Sequence, residues 1–567
     1  KIYNMSKMNV SETGSDLKCL TSWVEMDESS DFSIDNIPFG VCSFPGTTNA
    51  RPRCCTRLGD TVIDLSTLSE AGLFDVIDHL DSPTYTFSRD TLNNFMTHPK
   101  QVWADVRMRI IELLVSPTSC NALTPDARLR TNLPLQKTAF HDVSSENEYI
   151  QVQMHLPATI QDYTDFYSSR EHATNVGTMF RDPANALNPN WTRLPVGYHG
   201  RSSSIFVSGH KVTRPCGQLQ LNPTDASEGS EYGPSRLLDF ELEVAFFVGG
   251  KPNPHGERLT MEQSSERIFG FVLMNDWSAR DIQKFEYVPL GPFGSKNFAT
   301  TISPWIITTM ALEKYKCPTS YEAQEPIPLE YLQDKDYSSY DIELGVAIMS
   351  ENTKEPVKVS KSNLRNLYWN AKQQLTHHSV TGCIMNPGDL LASGTISGSS
   401  TESLGSMLEL SWKGTREVKL GPEVRKFLKD GDTVIMTGFA QKEGLGRVGF
   451  GCCSGKVFPY VSTSGNMPVL DSSNTTSDRY TDFKLYGYWR SSCTWRVHVA
   501  LNCKSISFTH KEVDLLQEDQ KKMEYADGVN PMKQVPVLEC TDTVTGDRLR
   551  FTQSLPIIDF IEEAFSE

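Results

Sequence analysis

Three acidic residues two apart, Asp239, Glu241 and Glu243, lie in Leu237-Leu-Asp-Phe-Glu-Leu-Glu-Val-Ala-Phe-Phe-Val248. Apolar and acidic residues alternate there, which is the period of a strand. The carboxylates are expected on one face, with Phe240, Leu242 and Val244 on the other. Carboxylates crowded on one face repel each other unless a cation sits among them. A second apolar run, Ile268-Phe-Gly-Phe-Val-Leu-Met274, ends in Asn275-Asp276 and brings another carboxylate to a strand end. Hard oxygen ligands with no accompanying Cys or His favour Ca2+, Mg2+ or Mn2+ over zinc. A solvated acidic strand face is the alternative reading of the same pattern.

Two further groups could do chemistry. Asp165, Tyr167 and His172 stand close together in Asp162-Tyr-Thr-Asp-Phe-Tyr-Ser-Ser-Arg-Glu-His172 and offer one more hard ligand and a base. Glu409, in Met407-Leu-Glu-Leu-Ser-Trp412, reads as a strand carboxylate that could orient a histidine ring. After Asp276, a helix with Ser278 as its N-cap would carry Arg280, Gln283 and Tyr287 along one face. Arg, Gln and Tyr together suit an anionic, oxygen-rich ligand. Lys296 follows in the glycine-containing segment Gly291-Pro-Phe-Gly-Ser-Lys296.

The elements that must hold these residues belong to a long chain. At 567 residues it exceeds one core, and its 38% hydrophobic and 22% charged composition is that of an ordinary globular protein. A net charge of −16 argues against nucleic acid as the main partner, and no apolar run is long enough to span a membrane. Thirteen irregularly spaced cysteines read as reduced thiols of a cytoplasmic protein. Residues 1–31 read as a disordered polar tail, 32–149 as a small amino-terminal domain and 150–462 as a larger β-rich domain. Turn signals such as Asn386-Pro-Gly-Asp and Asp430-Gly-Asp favour an antiparallel architecture in the larger domain. Residues 463–480 read as a polar linker, and 481–567 as strand, helix, loop, strand pair and helix.

At these residues the chain resembles the fumarylacetoacetase family. The resemblance rests on Asp162-Tyr-Thr-Asp-Phe-Tyr-Ser-Ser-Arg, Leu194-Pro-Val-Gly-Tyr-His-Gly-Arg201, Glu241-Leu-Glu and Met274-Asn-Asp-Trp-Ser-Ala-Arg-Asp-Ile-Gln. Leu375-Thr-His-His-Ser-Val and Leu390-Leu-Ala-Ser-Gly-Thr-Ile-Ser-Gly belong to it as well. It runs from about residue 32 to 461. It implies a small SH3-like β-barrel followed by a β-roll catalytic domain, a homodimer formed through that domain, and hydrolysis of the dicarboxylate 4-fumarylacetoacetate to fumarate and acetoacetate, the last step of tyrosine breakdown. By matching motifs, Asp165, Glu241, Glu243 and Asp276 would hold Ca2+, and Lys296 and Thr300 with Asp276 a Mg2+ site. A lysine ammonium cannot ligate a cation, so there a backbone carbonyl or a deprotonated amine is required. Tyr167, Arg181, Tyr198, Gln283, Tyr287 and Thr395 match the substrate-binding set. His172, held by Glu409, would activate water, with Arg280 and Lys296 neutralising the oxyanion. An oxo-acid decarboxylase or hydratase of the same superfamily would be served equally by Glu-x-Glu and Asp276.

The carboxyl-terminal strings Tyr488-Trp-Arg-Ser-Ser-Cys-Thr-Trp-Arg496, Asn530-Pro-Met-Lys-Gln-Val-Pro-Val-Leu and Gln553-Ser-Leu-Pro-Ile-Ile resemble the thioredoxin-like half of zeta-class glutathione transferases, the maleylacetoacetate isomerases. That resemblance implies glutathione contacts from Ser491, Ser492, Cys493, Arg496, Val535, Gln553 and Ser554, with Pro536 a cis-proline. The helical half of that family does not follow in this sequence, so glutathione contact is expected and isomerase turnover is not.

Overall fold

The computed structural model describes residues 20–44, 51–119, 125–142, 152–353, 355–461, 480–504, 506–526, 529–530, 532–543 and 545–565. The expected linker lies almost wholly outside them, as does most of the expected tail. Residues 20–31 depart from that expectation. Ser22 bridges Val115, and the Trp23 indole donates to the Leu113 carbonyl at 2.8 Å, so the segment is pinned to the helix Lys100–Leu114. Two compact units result, divided between Val461 and Ser462.

The amino-terminal part of the first unit is a five-stranded antiparallel sheet. Its order is Phe140–Asp142, Thr61–Asp64, Arg53–Leu58, Phe39–Ser43, Gln153–His155. The remainder is built on an eight-stranded sheet. Its order is Gly197–His199, Tyr163–Phe166, Leu390–Ala392, Leu242–Val248, Ile268–Asp276, Thr300–Ile302 and Ile205–Val207, with Ile307–Thr308 also on Ile268–Asp276. A second, five-stranded sheet contains Glu343–Met349, Thr433–Ala440 and Val448–Phe458. The β-rich expectation holds, but both sheets are mixed. Tyr163–Phe166 joins Leu390–Ala392 in parallel, Ile205–Val207 joins Thr300–Ile302 in parallel, and Lys211–Thr213 joins Val448–Phe458 in parallel.

Leu242–Val248 is buried on both faces. Leu242, Val244 and Phe246 pack with Val346, Ile348 and Met436, while Ala245 and Phe247 face Trp103, Phe95 and Phe269. Glu243 therefore begins a row that continues as core, not as a solvated acidic face. The single strand expected over 237–248 is broken. Leu238–Asp239 pairs with Ser278–Ala279, Glu241 makes an isolated bridge to Ser406, and the main strand starts only at Leu242.

In the second unit, the sheet order is Phe508–Glu512, Tyr480–Gly487, Val537–Asp542, Arg548–Thr552, flanked by helices Ser492–Cys503 and Ser554–Ala564. Phe508–Glu512 is a strand where the sequence reading placed a loop. It is mostly exposed, with no apolar alternation to betray it.

Candidate active site

Four carboxylates converge because the ends of three strands do. Asp165 lies in Tyr163–Phe166 opposite Tyr198, Glu243 near the start of Leu242–Val248, and Asp276 at the end of its strand opposite Thr300. Glu241 lies just outside the strand. Ligand oxygens of all four lie within 4.8 Å of one another and all four residues are buried. Asp239, the third member of the acidic row, does not join them. The break at Phe240–Glu241 turns its carboxylate to Arg280, whose Nε donates to it at 2.8 Å.

Two cations sit among these acids. Lys296, on the helical turn Gly294–Asn297, donates to Asp276 Oδ2 at 2.5 Å and to Glu241 Oε2. Arg280 Nη2 lies 2.7 Å from Glu241 Oε1. Burial raises the pKa of Asp165, Glu243 and Asp276, and their neighbouring carboxylates push the same way. Burial would also raise Glu241, but the Lys296 and Arg280 charges outweigh it and hold Glu241 well below the ordinary range. Lys296 itself is held in the charged form. Burial alone would favour loss of its proton, but Asp276 and Glu241 more than compensate. In this arrangement its side chain pairs with Glu241 and Asp276. Thr300 Oγ1 donates to Asp276 Oδ1 at 3.1 Å.

The donor set fits a hard divalent cation. Asp165 Oδ1 and Glu243 Oε1 are buried with no hydrogen-bond partner, a costly arrangement unless a cation takes those lone pairs. Counting Asp239, five buried carboxylates face two cations, Arg280 and Lys296. Glu243 Oε2 is satisfied by the Gly394 N–H at 3.1 Å. Gly394 has φ +77°, and a Cβ there would lie 2.2 Å from the Phe166 carbonyl oxygen, so only glycine permits this approach.

The histidine expected as base is held by a carboxylate of its own. Ser169 caps the helix Arg170–Phe180 and accepts from the His172 N–H at 3.3 Å, fixing His172 in the first turn. His172 Nδ1 meets Glu409 Oε2 at 2.7 Å. Glu409 is fully buried and also accepts from Asn175 Nδ2, Ser397 Oγ and Ser406 Oγ, each at 2.9 Å. Burial would raise its pKa, but the His172 charge and these hydrogen bonds keep it below the ordinary value. Glu409 lies on a helical turn, Met407–Leu410 capped by Ser406, and not on the expected strand. Asn175, Ser397 and Ser406 were missed by the sequence reading. Ser406-x-x-Glu409, the spacing of a capping box, was the available signal for the last.

The expected substrate residues are brought together in part. The Tyr167 ring meets the His172 ring edge-on at 5.3 Å. Tyr198 OH reaches Asp276 Oδ2 at 3.4 Å, Thr395 is buried, and Gln283 Oε1 accepts from Arg280 Nη1 at 3.2 Å. Arg181 instead donates to its own loop, at the Ala186 carbonyl, and Tyr287 is 54% exposed. The helix Arg280–Glu286 is capped at Ala279, not Ser278, whose hydroxyl donates to the Asp276 carbonyl at 3.0 Å.

In the second unit, Ser491 caps the helix Ser492–Cys503, so Ser492 and Cys493 lie in its first turn with Arg496 one turn on. A cis peptide joins Val535 to Pro536. Gln553 Nε2 donates to Gln534 Oε1 at 2.7 Å, which brings the Gln553-Ser554 segment beside the residue preceding Val535.

A buried cluster of hard-oxygen ligands at the ends of a mixed sheet, beside a carboxylate-backed histidine, is an arrangement suited to metal-assisted hydrolysis. Family profiles described as Fumarylacetoacetase N-terminal and Fumarylacetoacetate (FAA) hydrolase C-terminal match residues 35–157 and 162–457. The chain is 50% identical to the fumarylacetoacetase of Homo sapiens over 445 residues, covering 78% of this chain and 100% of that protein. It is 48% identical to that of Dictyostelium discoideum over 446 residues, with 78% and 99% covered. The chain belongs to the fumarylacetoacetase family. The profile described as Glutathione S-transferase, N-terminal domain matches residues 490–564, so the second unit joins a transferase-like module to the hydrolase unit.

Proposed function

We propose that the chain hydrolyses 4-fumarylacetoacetate to fumarate and acetoacetate, with His172 and Glu409 activating the water. The carrying observation is the contact between His172 Nδ1 and Glu409 Oε2 beside the carboxylate cluster. Asp165, Glu241, Glu243 and Asp276 would hold Ca2+ or Mg2+, which supplies Lewis-acid polarisation of the diketone oxygens. With Nδ1–H directed to Glu409, His172 Nε2 is free to take a proton from water. The water oxygen adds to the carbonyl next to the fumaryl double bond. Arg280, Gln283 and Lys296 stabilise the developing oxyanion. The bond to the acetoacetyl carbon then breaks, and that carbon takes a proton as acetoacetate leaves. Tyr167, Arg181, Tyr198, Tyr287 and Thr395 would fix the two ends of the dicarboxylate.

The carboxyl-terminal unit is read as a glutathione-contacting module through Ser491, Ser492, Cys493, Arg496, Val535, Gln553 and Ser554. The amino-terminal sheet is read as the family's SH3-like barrel. Exposed Tyr287, Val288, Leu290 and Phe293 suit a subunit contact of a homodimer. The described cysteines are free, which fits a reducing, cytoplasmic setting. Assay of the metal-loaded chain on fumarylacetoacetate against oxaloacetate tests the reading. Hydrolysis of the first alone is expected, and turnover of oxaloacetate alone would replace it with a decarboxylase.

A further inference from the structure

Asp239 is a fully buried acid that the metal cluster does not use. It has three donors. Oδ1 accepts from the Met407 N–H at 2.6 Å, and Oδ2 accepts from the Leu408 N–H at 3.0 Å and from Arg280 Nε at 2.8 Å. Met407 and Leu408 are the first two residues of the turn that carries Glu409, and Ser406 Oγ takes the third N–H, that of Glu409, at 3.3 Å. Asp239 also pairs with Ser278 in the short ladder that runs directly into Arg280. One carboxylate thus grips both the guanidinium that flanks Glu241 and the backbone that aims Glu409 at His172.

We propose that Asp239 is a positioning residue for the hydrolysis, holding Arg280 and the Glu409 turn in register with each other. The inference rests on the reading of His172–Glu409 as the water-activating pair. The physical reason is that a carboxylate has two oxygens to share among three donors, and its negative charge lets it do so. An asparagine presents one acceptor and one N–H2, so either Met407 N–H or the Arg280–Leu408 side faces a donor. In the second case Arg280 keeps only Glu241 and Gln283, and in the first the Met407 N–H loses its acceptor and the Glu409 turn an anchor. Small misplacements of such groups cost roughly 10²-fold in rate.

The test is Asp239→Asn and Asp239→Glu in the full chain, with bound metal quantified and kcat expressed per metal-loaded site. For Asp239→Asn the expected result is a kcat loss of roughly 10- to 100-fold. KM should stay within about threefold, because a positioning defect acts mainly in the transition state. Asp239→Glu, which keeps the charge, should recover part of the loss. A merely structural role would lower the loaded fraction and leave kcat per loaded site unchanged, and that result overturns the proposal. So does an Asn variant within twofold of the parent, a loss confined to KM, or failure of both variants to fold and load metal. The parent is assayed alongside. If it does not hydrolyse fumarylacetoacetate, the underlying reading fails, whereas an active parent with an unaffected Asn variant refutes the role of Asp239 alone.

Discussion

Replacing Glu409 by Gln is the sharpest perturbation of the proposed chemistry, because the side chain keeps its shape and loses only charge and one acceptor. In the parent, Glu409 Oε2 takes His172 Nδ1, Ser397 and Ser406, and Oε1 takes Asn175. An amide cannot satisfy all four. If its N–H2 faces His172, the ring must offer Nδ1 as acceptor, so Nε2 carries the proton and cannot act as base. If it faces Asn175, two donors confront each other. Either way a charge-assisted hydrogen bond worth about 1.5–3 kcal/mol becomes a neutral one of about 0.5–1.5 kcal/mol. At about 1.4 kcal/mol per tenfold, with a further loss from the wrong tautomer, kcat should fall roughly 10- to 100-fold. KM should change little. Steady-state rates on fumarylacetoacetate with metal saturating check this. The stability contribution has a definite sign. Because Glu409 is held below its ordinary pKa, its ionised form stabilises the parent above the usual carboxylate range. That contribution is lost as pH falls through the depressed value. A Gln variant within twofold of the parent in kcat would refute the reasoning.

His172→Ala removes the base itself and should cost about 10² to 10⁴ in kcat, more than Glu409→Gln, and a near-parental rate would mean another group activates the water. Metal binding should release protons. Asp165 and Glu243 have pKa values raised well above normal by burial and mutual repulsion, so the metal-free fold binds protons that the unfolded chain has already lost. Its stability should therefore fall as pH rises through those raised values and recover with metal. Calorimetric binding enthalpies that are identical in buffers of different ionisation enthalpy would contradict this. Glutathione titrated into the full chain should bind at roughly millimolar or weaker, about 4 kcal/mol or less, with negligible isomerisation of maleylacetoacetate. Micromolar affinity with isomerase turnover would refute that.

Much of the site was legible because its ligands sit where apolar runs end. Glu241, Glu243 and Asp276 could be read from period and spacing, and the identity of the fold from long motif strings. What escaped the reading was set by contacts far apart in sequence. Asp239 belongs to the acidic row by spacing, but its partners Met407 and Leu408 lie 168 and 169 residues away. Glu409 looked like a strand residue because Leu408, Leu410 and Trp412 alternate around it, and a four-residue helical turn is too short to show its own period. Residues 20–31 looked like a tail because they are polar, and what holds them are contacts distant in sequence, such as Trp23 with Leu113 and Asp31 with Arg447. Arg181 and Tyr287 matched motifs, but a motif does not reveal that one side chain bonds its own loop and the other faces solvent.

The central claim is that a divalent cation among Asp165, Glu241, Glu243 and Asp276 is required for carbon–carbon cleavage. The most direct measurement is fumarylacetoacetate hydrolysis against bound metal, from chelator-stripped protein through stepwise return of Ca2+ or Mg2+. The account predicts no activity in stripped protein, and activity rising in proportion to metal bound at that cluster. Full activity in protein shown to be free of metal would contradict it.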